Sequence, residues 1–157
     1  MQAPNISHPQ LNTLYKRWQE HYQDQPHPPQ KQIIQQELAE WRHHLVWLNV
    51  KTDLSTAVVT YVGQHITQST GEDRTKLTTT DLMHDNEGNV LWFQYQRVCE
   101  TQQPAFFQYI YKTATNHYCY QSKLILPLIN TDHSVDALLA GIYFAPLALS
   151  SHQTISD

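Results

Sequence analysis

Apolar residues along this chain follow two different periods, and the change between them organises it. Leu11, Leu14, Tyr15, Trp18 and Tyr22 recur at helical spacing, so Asn12–Gln23 reads as an amphipathic helix with Asn12 as its cap. Gln25-Pro-His-Pro-Pro29 must end it, because proline removes the amide donor and restricts the residue before it. A second helix is expected over Gln30–Glu40, with Ile33, Ile34 and Leu38 on one side. From His44 the spacing becomes two. Leu45, Trp47 and Asn49 alternate with Val46, Leu48 and Val50, and both sets are largely apolar, which predicts a strand covered on both faces. Asp53-Leu-Ser55 suits a turn, Ala57–Val62 returns as the second strand of a hairpin, and Gly63 ends it. Gln64–Asn86 is rich in Thr, Ser, Asp and Gly and reads as short helical turns and loops, one of them capped by Thr79-Thr80-Asp81.

The second half carries the clearest pattern. Leu91, Tyr95 and Val98 define a helix from about Asn89 to Gln102 that stops before Pro104. Three strands follow: Ala105–Thr113, Tyr118–Ile129 and Val135–Leu147. Thr115-Asn116-His117 and Asn130–Ser134 are the turns between them. Pro127 within a strand implies an edge or a bulge. Phe107, Tyr109 and Tyr111 share one face of their strand, and Phe106 and Ile110 the other. Both faces need cover, since each large side chain left in water forfeits about 1.5–3 kcal/mol. The inner face can pack on Leu91–Val98, and the outer face has the N-terminal helices or a second copy of the chain to hide it; a homodimer is expected, with Leu14, Tyr15 and Trp18 near the contact. The fold class is α+β: a five-stranded antiparallel sheet with N-terminal helices and helices packed on one face. Residues 1–10 and 148–157 are expected to be flexible ends, 11–43 the N-terminal helices and 44–147 the core.

A length of 157 residues suits one domain. The net charge of −4 comes without any run of Lys or Arg, and a phosphate-tracking surface needs a clustered basic face, so nucleic acid is not an expected partner. The same lack argues against an electrostatic membrane anchor. No segment approaches the roughly 18 apolar residues of a membrane span, and the first residues lack the profile of a signal peptide. A cytoplasmic location is expected. Cys99 and Cys119 read as buried thiols rather than a disulfide or metal pair.

Catalytic chemistry finds little support. There is no Gly-x-Ser-x-Gly elbow, and the four glycines are too far apart to cradle a phosphate. His43 and His44, adjacent at a strand start, would point to opposite faces and could not easily chelate one ion. His117 and His133 fall in turns. Glu72, Asp73 and Asp81 read as a solvated acidic loop. Neither a catalytic residue nor a metal ligand is therefore assigned, and no cofactor is named. Tyr61, Trp92, Tyr95, Tyr109 and Tyr111 are the candidates for lining a ligand pocket, against the plainer reading that they fill the core.

The element order and several short motifs together resemble a PAS domain, and within that group the small stand-alone bacterial PAS proteins. The resemblance covers roughly Leu11 to Ala145. It rests on Tyr15-Lys-Arg-Trp18, Leu45-Val-Trp-Leu-Asn-Val50, Tyr61-Val-Gly63, Thr70-Gly71 with Asp73, and Asp81-Leu82. It continues through Tyr95–Val98, Thr101-Gln-Gln-Pro104, Leu124-Ile-Leu-Pro-Leu128 and Leu138-Leu-Ala-Gly141. Gln25–Gln30 departs from the family's usual Asp-rich link, and Gln102-Gln103 stands where a glycine is usual. The resemblance implies a non-catalytic sensory or protein-interaction module that binds a small molecule between sheet and helices, or acts as a dimerising adaptor. It implies that a haem-binding version would need a histidine facing the cavity, for which His84 is the one candidate. A flavin photosensor would need a reactive cysteine in the connecting segment, and Gln64–Asn86 has none. A different class remains open: a small cone-shaped enzyme of the ketosteroid-isomerase kind, with an apolar pocket and a buried carboxylate as general base, for which Asp136 is the best seat.

Overall fold

The computed structural model describes residues 4–22, 27–51, 56–78, 86–113 and 115–147, with backbone alone for 33 and 86–92. Helix α1 (Pro9–Tyr22) leads to a short α2 (Lys31–Gln35) and a 3-10 turn (Ala39–His44). The hairpin β1 (Leu45–Val50) and β2 (Ala57–Val62) follows, then α3 (Gln64–Thr70) and α4 (Asn86–Thr101). The chain closes the sheet with β3 (Ala105–Lys112), β4 (Tyr118–Ile129) and β5 (Val135–Ala145). The five strands form one sheet in the order β2-β1-β5-β4-β3, antiparallel throughout. The β1–β2 hairpin and the β3–β4–β5 meander thus meet where β1 pairs with β5 at the centre.

Each face of this sheet carries its own apolar cluster. Val46, Leu48, Val59, Ile125, Leu138 and Ile142 point inward and meet Ile66 of α3 and Tyr95, Val98 and Cys99 of α4. Leu45, Trp47, Leu124, Leu126, Leu128 and Leu139 point the other way, under Leu11, Leu14, Tyr15 and Trp18 of α1 and Ile34, Leu38 and Trp41. This is why β1, β4 and β5 read as near-continuous apolar runs. Gly141 permits the close seat of α1, for a Cβ there would stand 2.7 and 2.8 Å from the Cδ2 atoms of Leu11 and Leu14.

Several expectations change. Helix α1 starts at Pro9, so Asn12 lies inside it and is no cap; proline's fixed φ and missing N–H suit the first helical position. The single helix expected over Gln30–Glu40 is interrupted, because the chain bends at Leu38 to turn Trp41 under α1, where its indole donates to the Gln10 carbonyl at 3.1 Å. Leu14, Tyr15 and Trp18 are 0, 4 and 0 % exposed, covered by this chain's own sheet, and offer no surface to a second copy. Pro127 sits in an interior strand, but β3 begins opposite Ile125, so Pro127 lies in the part of β4 that has a partner strand on one side alone. Helix α4 stops where Gln102 takes a left-handed conformation at φ 56°, the position where the family pattern has glycine. Ile6, assigned by sequence to a flexible end, packs in the outer cluster at 7 % exposure. The expected turn at Asp53–Ser55, the cap at Thr79–Asp81 and the C-terminal tail lie outside the described residues.

Candidate functional site

Period-two alternation in β3, β4 and β5 builds a patterned inner face next to α3 and α4. Register places Tyr109 opposite Gln121 and Gln121 opposite Phe144, one row across three strands. The next row reads Phe107, Lys123, Ile142. Above these rows lies a cavity of about 50 Å³. Val46, Val59 and Val62 wall one end, Ile66 and Thr70 of α3 and Tyr95 of α4 form the roof, and Tyr109, Tyr111 and Phe144 the other side. Glu72 and Arg74 stand at its rim.

Polar groups in this cavity are few, and those at its floor are buried. Lys123 is fully buried; its Nζ donates to Gln94 Oε1 at 3.1 Å and lies 5.4 and 5.7 Å from the ring centroids of Tyr95 and Tyr109. Those ring faces and the amide oxygen supply negative potential to a charge that burial alone would penalise. Gln121 is 4 % exposed, and its Oε1 is buried without a hydrogen-bond partner. Arg74 holds Glu72 Oε1 through Nε at 2.8 Å and Nη2 at 2.7 Å, and Nη2 also donates to the Tyr111 hydroxyl at 3.2 Å. Arg74 therefore ties the segment after α3 to β3 across the rim.

The structure brings three of the five sequence-named aromatics together at this cavity: Tyr95, Tyr109 and Tyr111. Tyr61 lies elsewhere. It borders an open groove of about 410 Å³ on the outer side, between α2, the 3-10 turn and β1–β2, and its hydroxyl donates to the Arg42 carbonyl at 2.7 Å. The side chain of Trp92 and the whole of His84 fall outside the described residues. Of the two hollows the inner one is the better candidate, although smaller, because it is the more enclosed and holds a buried amide oxygen without a donor. Sequence reading missed Lys123 and Gln121. A lone cation and a lone amide inside the apolar run Tyr118–Ile129 were the available signal.

The histidines also differ from expectation. His43 and His44 end the 3-10 turn rather than open a strand, and both reach His65 of α3, at ring-centroid distances of 5.8 and 4.6 Å. His44 stacks on Tyr143 at 3.9 Å, and Tyr143 in turn meets His8 at 4.5 Å. Burial holds His44 below the ordinary imidazole value, with His65, His43 and His8 adding to the effect and a backbone bond at Ile142 opposing it. Among the described residues no group of three or more ligating side chains is placed to hold a metal. Asp136 does not line the cavity: it lies at the β4–β5 irregularity near Ile129, with burial raising its pKa and the Lys31 charge lowering it. Both cysteines are free thiols.

No family model matches this sequence, and no curated protein matches it. Solved structures do. A light-oxygen-voltage domain whose mechanism was probed with a flavin analogue is 10 % identical, with 76 % of this chain and 89 % of that chain covered at a TM-score of 0.56. The LOV protein of Rhodobacter sphaeroides is 11 % identical, covering 76 % and 73 %, at 0.52. The PAS domain of the fruit-fly ELK potassium channel is 13 % identical, covering 72 % and 94 %, at 0.51.

Proposed function

The chain has the PAS fold, and from that premise we propose that it is a non-catalytic sensory module that takes a small molecule between the inner sheet face and helices α3 and α4. The observation that carries this reading is the inner cavity itself. Well-packed interiors leave few voids, and those that persist with buried polar groups in their walls suit a guest. Here Gln121 and Lys123 are both buried at its floor. Occupancy would act by shifting the packing of α3 and α4 against the sheet, the ligand favouring whichever arrangement it contacts better. Arg74, bridging Glu72 and Tyr111 at the rim, is the contact such a shift must first rearrange.

The output surface in this reading is the uncovered end of the outer face, presented to a second copy of the chain. Ile110, Tyr118 and Tyr120 are 55, 59 and 39 % exposed there, and Ile110 pairs directly with Tyr120 across β3–β4. Support against the isomerase-type alternative is geometric. Glu72 is the one carboxylate among the described cavity residues, and Arg74 engages it; a general base must be free to accept a proton.

Native mass spectrometry of the purified full chain tests the proposal. A mass increment that disappears on denaturation, together with a dimer, is the expected result. A bare monomer whose spectrum does not change when the sample is kept under non-denaturing conditions throughout purification would overturn it.

A further inference from the structure

The outer groove of about 410 Å³ bordered by Tyr61 exists because the chain bends at Leu38, so that α2 and the 3-10 turn part over β1 and β2. Its floor is apolar and buried: Leu38, Leu45 and Trp47 are 2, 2 and 7 % exposed. Thr60 and Tyr61 both line it, although neighbours in a regular strand face opposite sides. The register of β1 against β2 slips between Trp47 and Leu48, leaving Thr60 as the extra residue, and a bulge of this kind re-aims side chains. The Thr60 hydroxyl donates to the Trp47 carbonyl at 3.1 Å, and the Tyr61 hydroxyl is held by the Arg42 carbonyl at 2.7 Å. The Tyr61 ring, 38 % exposed, is thereby fixed as a wall of the groove.

Both charged side chains among the described residues of the groove, Lys31 and Arg42, are cations, and no salt bridge among the described residues engages either. Lys31 Nζ donates to Asn49 Oδ1 at 3.4 Å, lies 5.7 Å from the Trp47 ring centroid, and has the Asp136 charge within electrostatic reach. Trp47 adds a donor. The indoles of Trp18 and Trp41 donate to the Pro127 and Gln10 carbonyls, whereas the indole N–H of Trp47 meets no acceptor among the described residues. We propose that this groove binds a small aromatic carboxylate, at a site separate from the inner hollow and independent of the reading built on it. The carboxylate accepts charge-assisted hydrogen bonds from Lys31 and Arg42 and a further one from the Trp47 indole. The ring lies against Leu38, Leu45 and the Tyr61 face. Two cations without a carboxylate beside them in the lining repel amines and favour anions. An inorganic anion would leave the apolar floor wet, and the volume falls within the range of about 300–1,000 Å³ usual for small-molecule clefts.

Titration of the full chain with benzoate, followed by chemical-shift changes of the Trp47 indole N–H and the backbone amides, tests this. Benzamide keeps the ring without the charge, and acetate keeps the charge without the ring. Benzoate should shift the Trp47 indole N–H and the amides of Thr60 and Tyr61 saturably, with benzamide and acetate each binding at least tenfold more weakly. Arg42→Gln alters an exposed side chain and should weaken benzoate by at least threefold while leaving the spectrum of the free chain otherwise unchanged. Benzamide binding as tightly as benzoate would remove the cations from the account, and acetate binding as tightly would remove the ring; either overturns the proposal. So does benzoate that leaves the groove signals unmoved, or that shifts the amides of Tyr109 and Gln121 in their place. The three probes need no variant, so the test stands even if Arg42→Gln does not fold, and the inner hollow keeps its own test whichever result is found.

Discussion

The indole N–H of Trp18 donates to the carbonyl of Pro127 at 3.0 Å, joining α1 to β4 across 109 residues of sequence. The bond explains two features together. A strand residue's N–H and C=O point the same way, so proline is tolerated here because the side lacking its donor faces no strand. The free carbonyl on that side then needs a partner, and the helix supplies one. Trp18→Phe keeps much of the packing but leaves the carbonyl buried and unpaired. It should cost about 1–3 kcal/mol, read as a lower urea midpoint at unchanged slope. A midpoint equal to that of the natural chain would show that the bond contributes nothing.

Gly63 and Gly141 both stand in close quarters, and they should respond differently to alanine. A Cβ at Gly63 would lie 2.4 Å from the backbone carbonyl carbon and oxygen of His43, which cannot move without shifting the 3-10 turn. At Gly141 the neighbours are side-chain ends of Leu11 and Leu14. Overpacking costs about 1–3 kcal/mol, so Gly63→Ala should reach the upper end and lower Tm further than Gly141→Ala. Thermal melts giving the reverse order would contradict the account.

Acid should weaken the fold through His44 and His8. His44 is held neutral, below its ordinary value of 6.5, because burial and the nearby imidazoles penalise its charge. Burial lowers His8 as well. The unfolded chain therefore binds more protons here than the folded one. Stability is fully present above 6.5 and is lost as pH falls through that value towards the folded pKa. Urea melts from pH 7.5 to 5 should show the decline, and His44→Phe should flatten it. An identical pH slope in the variant would remove His44 from the explanation.

The two thiols should label at very different rates. Cys99 is 4 % exposed, and its pKa is pushed up to about 12, chiefly by burial and then by Glu100. Cys119 is half-buried and raised less. Since the thiolate is the nucleophile, iodoacetamide at pH 8 should modify Cys119 first, with Cys99 reacting only under denaturant. Peptide mapping after a time course decides the order, and early labelling of Cys99 would contradict the packing of α4 on the sheet.

Ile110 tests the proposed output surface. Ile110→Asp places a charge on an outward position that is 55 % exposed and so should leave folding nearly unchanged. In native mass spectra it should convert dimer to monomer. A dimer of undiminished abundance would move the contact away from this end of the sheet.

Much of the framework was legible along the chain, and the reasons are local. Strand β2 was read with its observed bounds, and β4 likewise, because β-branched and aromatic residues run between strong turn formers. The split of Phe107, Tyr109 and Tyr111 from Phe106 and Ile110 follows from the pleat alone. The outer cover was narrowed to the N-terminal helices or a second chain, and the structure uses the helices. Periodicity showed that Leu14, Tyr15 and Trp18 form an apolar stripe but could not say whether a second chain or their own sheet would meet it. Asn12 misled because capping is judged by residue type, whereas Pro9 was free to begin the helix earlier.

The sequence by itself determined which residues alternate, where the chain must turn, and that both faces of the central strands would be dry. Hydrophobic period and turn chemistry are properties of neighbours a few positions apart, so they survive without coordinates. Tertiary structure alone decided the rest. It slid α1 over Gly141, carried Tyr61 to the outer face, and set Gln121 between Tyr109 and Phe144 with Lys123 in the next row. Those placements depend on the pairing register of strands distant in sequence, and a shift of one residue would have turned the same amide to the opposite face.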